Sequence, residues 1–367
     1  MKVNYFTLLL VFSIGLSACH KRADSLAQSE YPITYSIDYT DNEVFDWYAH
    51  MEIEEVTPLE FSDSSIISMA QDCLVTRDKI LVHDYKQHLL LVFNRQGKYL
   101  YAINNIGNGP GEYQDIRGFC LSVDGLEIIV NDGYKLLFYG LDDGEYLHEF
   151  PLGLTIGNPT RNVLFFSCIN PSKDIYYLWT DMADYTLYRY DGKEMTGLKP
   201  RTHYQLGMKK FFLNSEGKYL YCPDYGEFGV STIDGEKRFY IDFGDKELPA
   251  DKRPQSMSEL RAVERESYFK AIMNVQETKA GIYVSALSPR TNYYDIYIDK
   301  KTGTIWKGHV DPNSRLSIIQ VEGKSFYALF YPYMVNEDSL LKKELLPYIV
   351  SGDNPLLIKF HMKDVNN

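Results

Sequence analysis

Leu91-Val92-Phe93-Asn94-Arg95-Gln96-Gly97-Lys98 reads as an apolar strand that runs into a polar turn ending on glycine. That is the local chemistry of a hairpin whose turn demands a positive φ. Residues 138–145, 187–193, 230–236 and 296–304 have the same form. Their glycines, at 97, 144, 192, 235 and 303, lie 47, 48, 43 and 68 residues apart, so one repeat takes about 45 residues and the last gap carries about 25 more.

Upstream of each hairpin lies another apolar run. Four of these runs end in aspartate, at Asp84, Asp132, Asp181 and Asp224; the fifth, 281–287, lacks the acid. A further strand precedes each, as in 118–123 before the Asp124-Gly125 turn. Four strands per repeat is the unit of a β-propeller blade. The aspartates recur in successive units, which a single binding site would not require, so they read as acceptors for turn amides.

A sixth unit finds its second and third strands in 324–331 and 356–362, and the chain then stops with no fourth. The strand near 52–61 has no blade of its own. Pairing it into the last blade closes the circle and removes an exposed sheet edge. The sequence therefore predicts an all-β, six-bladed propeller of four-stranded antiparallel blades over residues 51–367, with two short helical insertions, near 244–273 and 332–355. The first opens with a capping box at Ser256-Met257-Ser258-Glu259 and continues as a helix through Ala271.

The 367 residues carry 45% hydrophobic and 24% charged side chains, which excludes a disordered or collagen-like chain. A net charge of −12 repels phosphate backbones, so nucleic acid is not an expected partner. At the N-terminus, Lys2 precedes an apolar run over 5–16 that is too short to span roughly 30 Å of hydrocarbon and has the layout of an export leader. It ends in Leu16-Ser17-Ala18-Cys19, which resembles the bacterial lipobox. The resemblance implies a signal peptide over 1–18, a diacylglycerol on Cys19, and anchoring to a bacterial membrane, in the envelope and by expectation the outer one. Residues 19–50 then read as the lipidated cysteine and a linker, its stretch 20–31 a flexible stalk.

The strand to Asp84, the hairpin 92–99 and Gly107-Asn108-Gly109-Pro110-Gly111-Glu112-Tyr113 together resemble the six-bladed β-propeller lipoproteins of gut-type double-membrane bacteria, relatives of the NHL-repeat propellers. The likeness runs from about residue 53 to the C-terminus. It implies the fold and adds little chemistry.

Antiparallel order puts the loops between blades, and those joining second to third strands, on one face. Both insertions and the Gly-Pro-Gly-Glu-Tyr loop fall there. Glu112, Tyr113, Arg290 and Tyr293 are the candidate ligand contacts, supplying a carboxylate, aromatic platforms and a cation for a glycan, a peptide or a protein. Structural roles compete with this: Glu112 also suits capping of backbone amides.

Cys73, Cys120 and Cys168 occupy matching stations on the innermost strands and read as free, buried thiols, since neighbouring inner strands are expected to splay too far for a disulfide. Eight histidines show no metal-binding spacing, only His83 and His203 standing near inner strands. No catalytic residue, metal or cofactor is predicted. The favoured function is a non-catalytic binding or scaffold module; a metal-dependent propeller enzyme of the lyase or lactonase type and an accessory lipoprotein of an outer-membrane nutrient importer are the alternatives. Substituting Cys19→Ser tests the anchor: the chain loses radiolabelled fatty acid and moves from the membrane pellet to the soluble fraction, whereas unchanged pelleting rules lipidation at Cys19 out as the tether.

Overall fold

Strands in the middle of most repeats abandon the apolar–polar alternation of a half-solvated sheet. Leu89–Asn94 is LLLVFN and is buried up to its last residue, and Lys79–Asp84 is buried after its first. The outer Tyr99–Ile103 mixes exposed and buried positions. Runs buried on both faces need a neighbouring sheet on each side. A ring of radially packed blades provides that.

A computed structural model shows this ring. It describes residues 28–364 apart from 154, 157–160, 206–208, 291, 311–315, 335–339 and 350–353. The leader and Cys19 lie outside the described residues.

Blade 1 is Ala70–Val75, Lys79–Asp84, Leu89–Asn94 and Tyr99–Ile103. Blade 2 is Gly118–Leu121, Glu127–Asn131, Lys135–Gly140 and Tyr146–Pro151. Blade 3 is Ser167–Ser172, Ile175–Trp179, Tyr185–Tyr190 and Met195–Pro200. Blade 4 is Phe211–Leu213, Tyr219–Tyr221, Gly229–Thr232 and Lys237–Asp242. Blade 5 is Ala271–Glu277, Gly281–Leu287, Tyr293–Asp299 and Ile305–His309. Blade 6 takes Ser317–Glu322, Ser325–Phe330 and Leu356–Met362 from the C-terminal end and Met51–Pro58 from the N-terminal end. All six are antiparallel meanders with the first strand at the centre.

The closing strand pairs antiparallel with Leu356–Met362, Met51 opposite Met362 and Pro58 opposite Leu356. Five hairpin glycines adopt the positive φ that their turns require, from +74° to +87°. Gly97 has a second constraint. Sheet twist swings its turn onto the closing strand, where an added Cβ would lie 2.0 Å from the Pro58 carbonyl oxygen and the Glu60 amide donates to the Gly97 carbonyl at 2.8 Å.

Neighbouring blades splay from the axis, so side-chain amides bridge their inner strands. Gln320 of blade 6 accepts from the Val75 amide and donates to the Val75 carbonyl, at 2.9 and 2.8 Å. Asn170 accepts from Val123 at 2.9 Å, and Asn274 donates to Ile318 at 2.7 Å. Each is a side chain doing what the ladder does within a sheet.

The segment before Met51, left in the linker by its sequence, packs on the ring. Thr34–Ser36 adds a fifth, parallel strand to blade 4. Along blade 5 the Phe45 amide donates to the His309 carbonyl at 2.9 Å and the His309 amide to the Glu43 carbonyl at 2.7 Å, and Trp47 donates its indole N–H to Asp295 at 3.2 Å. The first insertion corrects another expectation. Its helix is Met257–Val263, capped by Ser256, which accepts from the Glu259 amide at 3.3 Å, and it stops well short of Ala271, the first residue of blade 5. The sheet captures Ala271 because the Ala271–Leu287 pairing starts there. In the second insertion the helix is Leu340–Leu345. Among the described residues no helix is long and apolar enough to cross a membrane.

Asn354 locks the closure, accepting from the Ile67 amide at 2.8 Å and donating to the Glu60 and Ser65 carbonyls at 2.7 and 2.8 Å while 5% exposed. Asn354→Leu strands those buried groups, and the expected loss is about 2–4 kcal/mol of unfolding free energy, read from urea titration; an unchanged midpoint would refute the lock.

Candidate functional site

The loop joining blades 1 and 2 is held by its own glycines and carboxylate. Glu112 turns back and accepts from the Gly109 amide at 2.7 Å, occupying the space a Cβ at Gly107 would need, 2.0 Å away. Gly111, at φ +73°, donates to Glu149 at 3.0 Å and accepts from the Tyr139 hydroxyl at 2.9 Å. Ile106 and Tyr113 bridge the two ends of the loop in parallel.

Tyr113 corrects the sequence reading. It is 0% exposed and its hydroxyl donates to the carbonyls of His88 and Ile103, both at 2.9 Å, so it fastens the loop to blade 1 and offers no platform to a ligand. Burial pushes its pKa up. Glu112 remains half-buried and borders a cavity of about 390 Å³ on the rim of blade 2, together with Asn108, Gln114, Asp132, Tyr134 and Lys135. Lys135 is fixed by Glu149 at 2.9 Å, and Tyr134 is half exposed. Asp132 accepts from the amides of Tyr134 and Lys135, at 2.9 and 2.8 Å, while burial pushes its pKa up against those bonds. The cavity thus has two carboxylates, a cation and an aromatic face within a prearranged loop frame.

Arg290 and Tyr293 do not join it. They belong to blade 5, three blades away across the ring, where Arg290 pairs with Asp41 of the N-terminal segment at 2.7 Å and Tyr293 is half-buried at the head of the third strand. The four residues share a face and not a site.

Three of the four blade-end aspartates, Asp84, Asp132 and Asp224, separate into two roles. Asp84 and Asp132 accept turn amides, Asp84 serving Ser68, Met69, Lys86 and Gln87. Asp224 instead sits in a buried ion cluster that the sequence does not announce. It contacts Lys199 at 2.6 Å and Lys210 at 3.5 Å and accepts from the Tyr221 hydroxyl at 2.8 Å. Lys210 is 0% exposed and lies 5.2 Å above the Trp179 ring. Burial alone would raise the Asp224 pKa, but the two ammonium groups outweigh it and hold the carboxyl well below its usual range. Across the channel, Lys209 of blade 4 reaches Asp72 of blade 1 at 2.8 Å.

His83 is buried, its Nε2 without a hydrogen bond, and burial lowers its pKa. His203 lies between Thr202 and the Tyr225 carbonyl. Among the described residues no group of three or more His, Cys, Asp or Glu is placed to hold a metal. The four described cysteines are free and buried. The reason given for this from sequence does not hold for one pair: Cys120 and Cys168, on adjacent inner strands, bring their sulfurs to 3.8 Å.

The chain belongs to the family described as Domain of unknown function (DUF4934), whose model matches residues 52–360. It is similar in fold to a protein of Bacteroides fragilis NCTC 9343 named "Putative exported protein", with 16% identity, a TM-score of 0.71, and coverage of 90% of this chain and 99% of that one. A member of the DUF4221 family from Bacteroides vulgatus ATCC 8482 gives 12% identity and a TM-score of 0.56, covering 86% and 98%. No curated protein matches.

Because its folded pKa is depressed, Asp224 contributes stability that is present above the unfolded carboxylate pKa and is lost as the pH falls below it. Asp224→Asn is expected to cost about 3 kcal/mol at pH 7, because the buried Lys210 ammonium loses its carboxylate while Lys199 keeps Glu227 at 2.7 Å, and to flatten the fall in stability between about pH 5 and 2. Urea titrations of both proteins across that range check it; parallel pH profiles would show the cluster to be neutral in energy.

Proposed function

We propose that this protein is a lipid-anchored propeller of the cell envelope that binds a polar ligand, a glycan or a peptide, or a protein partner, on its loop-bearing face without transforming it. The observation that carries the reading is the cavity beside Glu112. Its volume of about 390 Å³ lies in the range of small-ligand sites, and its lining pairs polar groups with Tyr134. Loops on a rigid frame are where binding residues accumulate, and this frame fixes the loop through Glu112, Tyr113 and Tyr139 before any ligand arrives. An exposed tyrosine beside carboxylates and a lysine can stack on a sugar or peptide while its neighbours hydrogen-bond. The leader and lipobox at Cys19 place the module at a bacterial membrane in this reading, a setting that agrees with the name of the Bacteroides fragilis neighbour.

Glycan and peptide arrays probed with the detergent-solubilised full chain supply candidate ligands. For the best of them, Glu112→Gln and Lys135→Met are each expected to weaken binding by about tenfold or more, while Lys193→Ala on a glycine turn leaves it unchanged. Equal effects on both faces, or none at the cavity, would overturn the reading.

A further inference from the structure

Cys120 and Cys168 are 48 positions apart and occupy the same station in consecutive repeats, on the inner strands of blades 2 and 3. Their sulfurs are 3.8 Å apart, and both residues are buried. Cys222 points elsewhere, donating to the Ile272 carbonyl at 3.1 Å. The seam around the pair is tight. At one end Gly118 packs on the next strand, where an added Cβ would lie in ordinary contact, 3.4 Å from the Phe166 carbonyl oxygen and 3.6 Å from the Ser167 Cα; at the other the Val123 amide donates to Asn170 at 2.9 Å. These clamps hold the two strands side by side on either side of the thiols, and closing van der Waals contact to a bond of about 2.05 Å needs only a small side-chain adjustment.

We propose that Cys120 and Cys168 form a disulfide site that ties blade 2 to blade 3 when the chain folds in oxidising surroundings. Two S–H bonds break and one S–S bond forms. The two electrons and two protons pass to a disulfide oxidant, which leaves as two thiols. In the finished fold the thiol of Cys168 is held neutral by its hydrogen bond to Cys120 and by burial, so exchange is slow there in either direction. The bond therefore forms while the seam is still open and is protected once the ring closes. The proposal depends on the export reading only for the source of the oxidant in the cell.

The test is refolding of the full chain, denatured and reduced, in a glutathione–glutathione disulfide buffer, followed by acid quench, alkylation and peptide mass spectrometry. The expected product is about 2 Da lighter, with one cross-linked pair joining Cys120 to Cys168 and with Cys73 and Cys222 alkylated after denaturation. The oxidised product melts about 5 °C above protein refolded with reductant throughout, and Cys168→Ser or, should that variant misfold, Cys120→Ala shows no such difference between the two refolding conditions. Refolded protein with Cys120 and Cys168 still free, or with either of them paired to Cys19, Cys73 or Cys222, overturns the proposal. The same trapping on cells separates the two ideas: a cross-link that forms in the buffer and not in the cell counts against export, whereas its failure to form in the buffer removes the site whatever the compartment.

Discussion

Everything in this fold depends on one strand pairing, that of Met51–Pro58 with Leu356–Met362. The middle strands of blades 1, 2, 5 and 6 are buried on both faces nearly throughout, so these blades require a neighbour on each side. An open row of blades would leave two such faces in water, at about 25 cal/mol for each Å² of apolar surface exposed. Joining the two ends of the chain in one sheet leaves none. It also makes blade 6 a composite of distant segments, which is why so many groups gather at the seam: Gly97 against Pro58, Glu60 on the Gly97 carbonyl, and Asn354 spanning 60–67.

Radial packing creates a second demand. Inner strands converge on the axis without lying in one sheet, and their edge groups need partners that no ladder supplies. Gln320, Asn274 and Asn170 answer with side-chain amides, and Cys222 with a thiol. Between the inner strands of blades 2 and 3, two further sulfurs meet. Charge fills the other gaps. Lys199, Lys210 and Asp224 join blades 3 and 4, and Lys209 with Asp72 spans the channel. The Lys210–Asp224 pair, buried on both sides, adds little net energy over an apolar filling but penalises any arrangement that separates its members.

Much of this was written in the sequence as period. The glycine turns at 97, 144, 192, 235 and 303 all take the positive φ that their spacing implied, and the strand near residue 52 closes the ring. The aspartate at the end of a second strand was legible as a turn acceptor at 84 and 132. It was not legible as an ion-cluster member at 224, because its partners Lys199 and Lys210 come from the preceding loop and the neighbouring blade. Tyr113 shows the same limit: its residue type suits an exposed platform, and only the position of two carbonyls turns it inward. The helix read through Ala271 yields to the Leu287 pairing for a similar reason, since a 3.6 period cannot register a competing strand.

The sequence by itself determined the repeat, the number of blades and the face that bears the insertions, because strand length, turn chemistry and hydrophobic period are local and recur. Tertiary structure alone decided which residues meet. Glu112 faces Asp132 and Lys135 and not Arg290, Cys120 meets Cys168, and residues 34–50 lie on the ring. Those contacts depend on the angle between successive blades and on the twist within each, quantities set by the packing of all six sheets together.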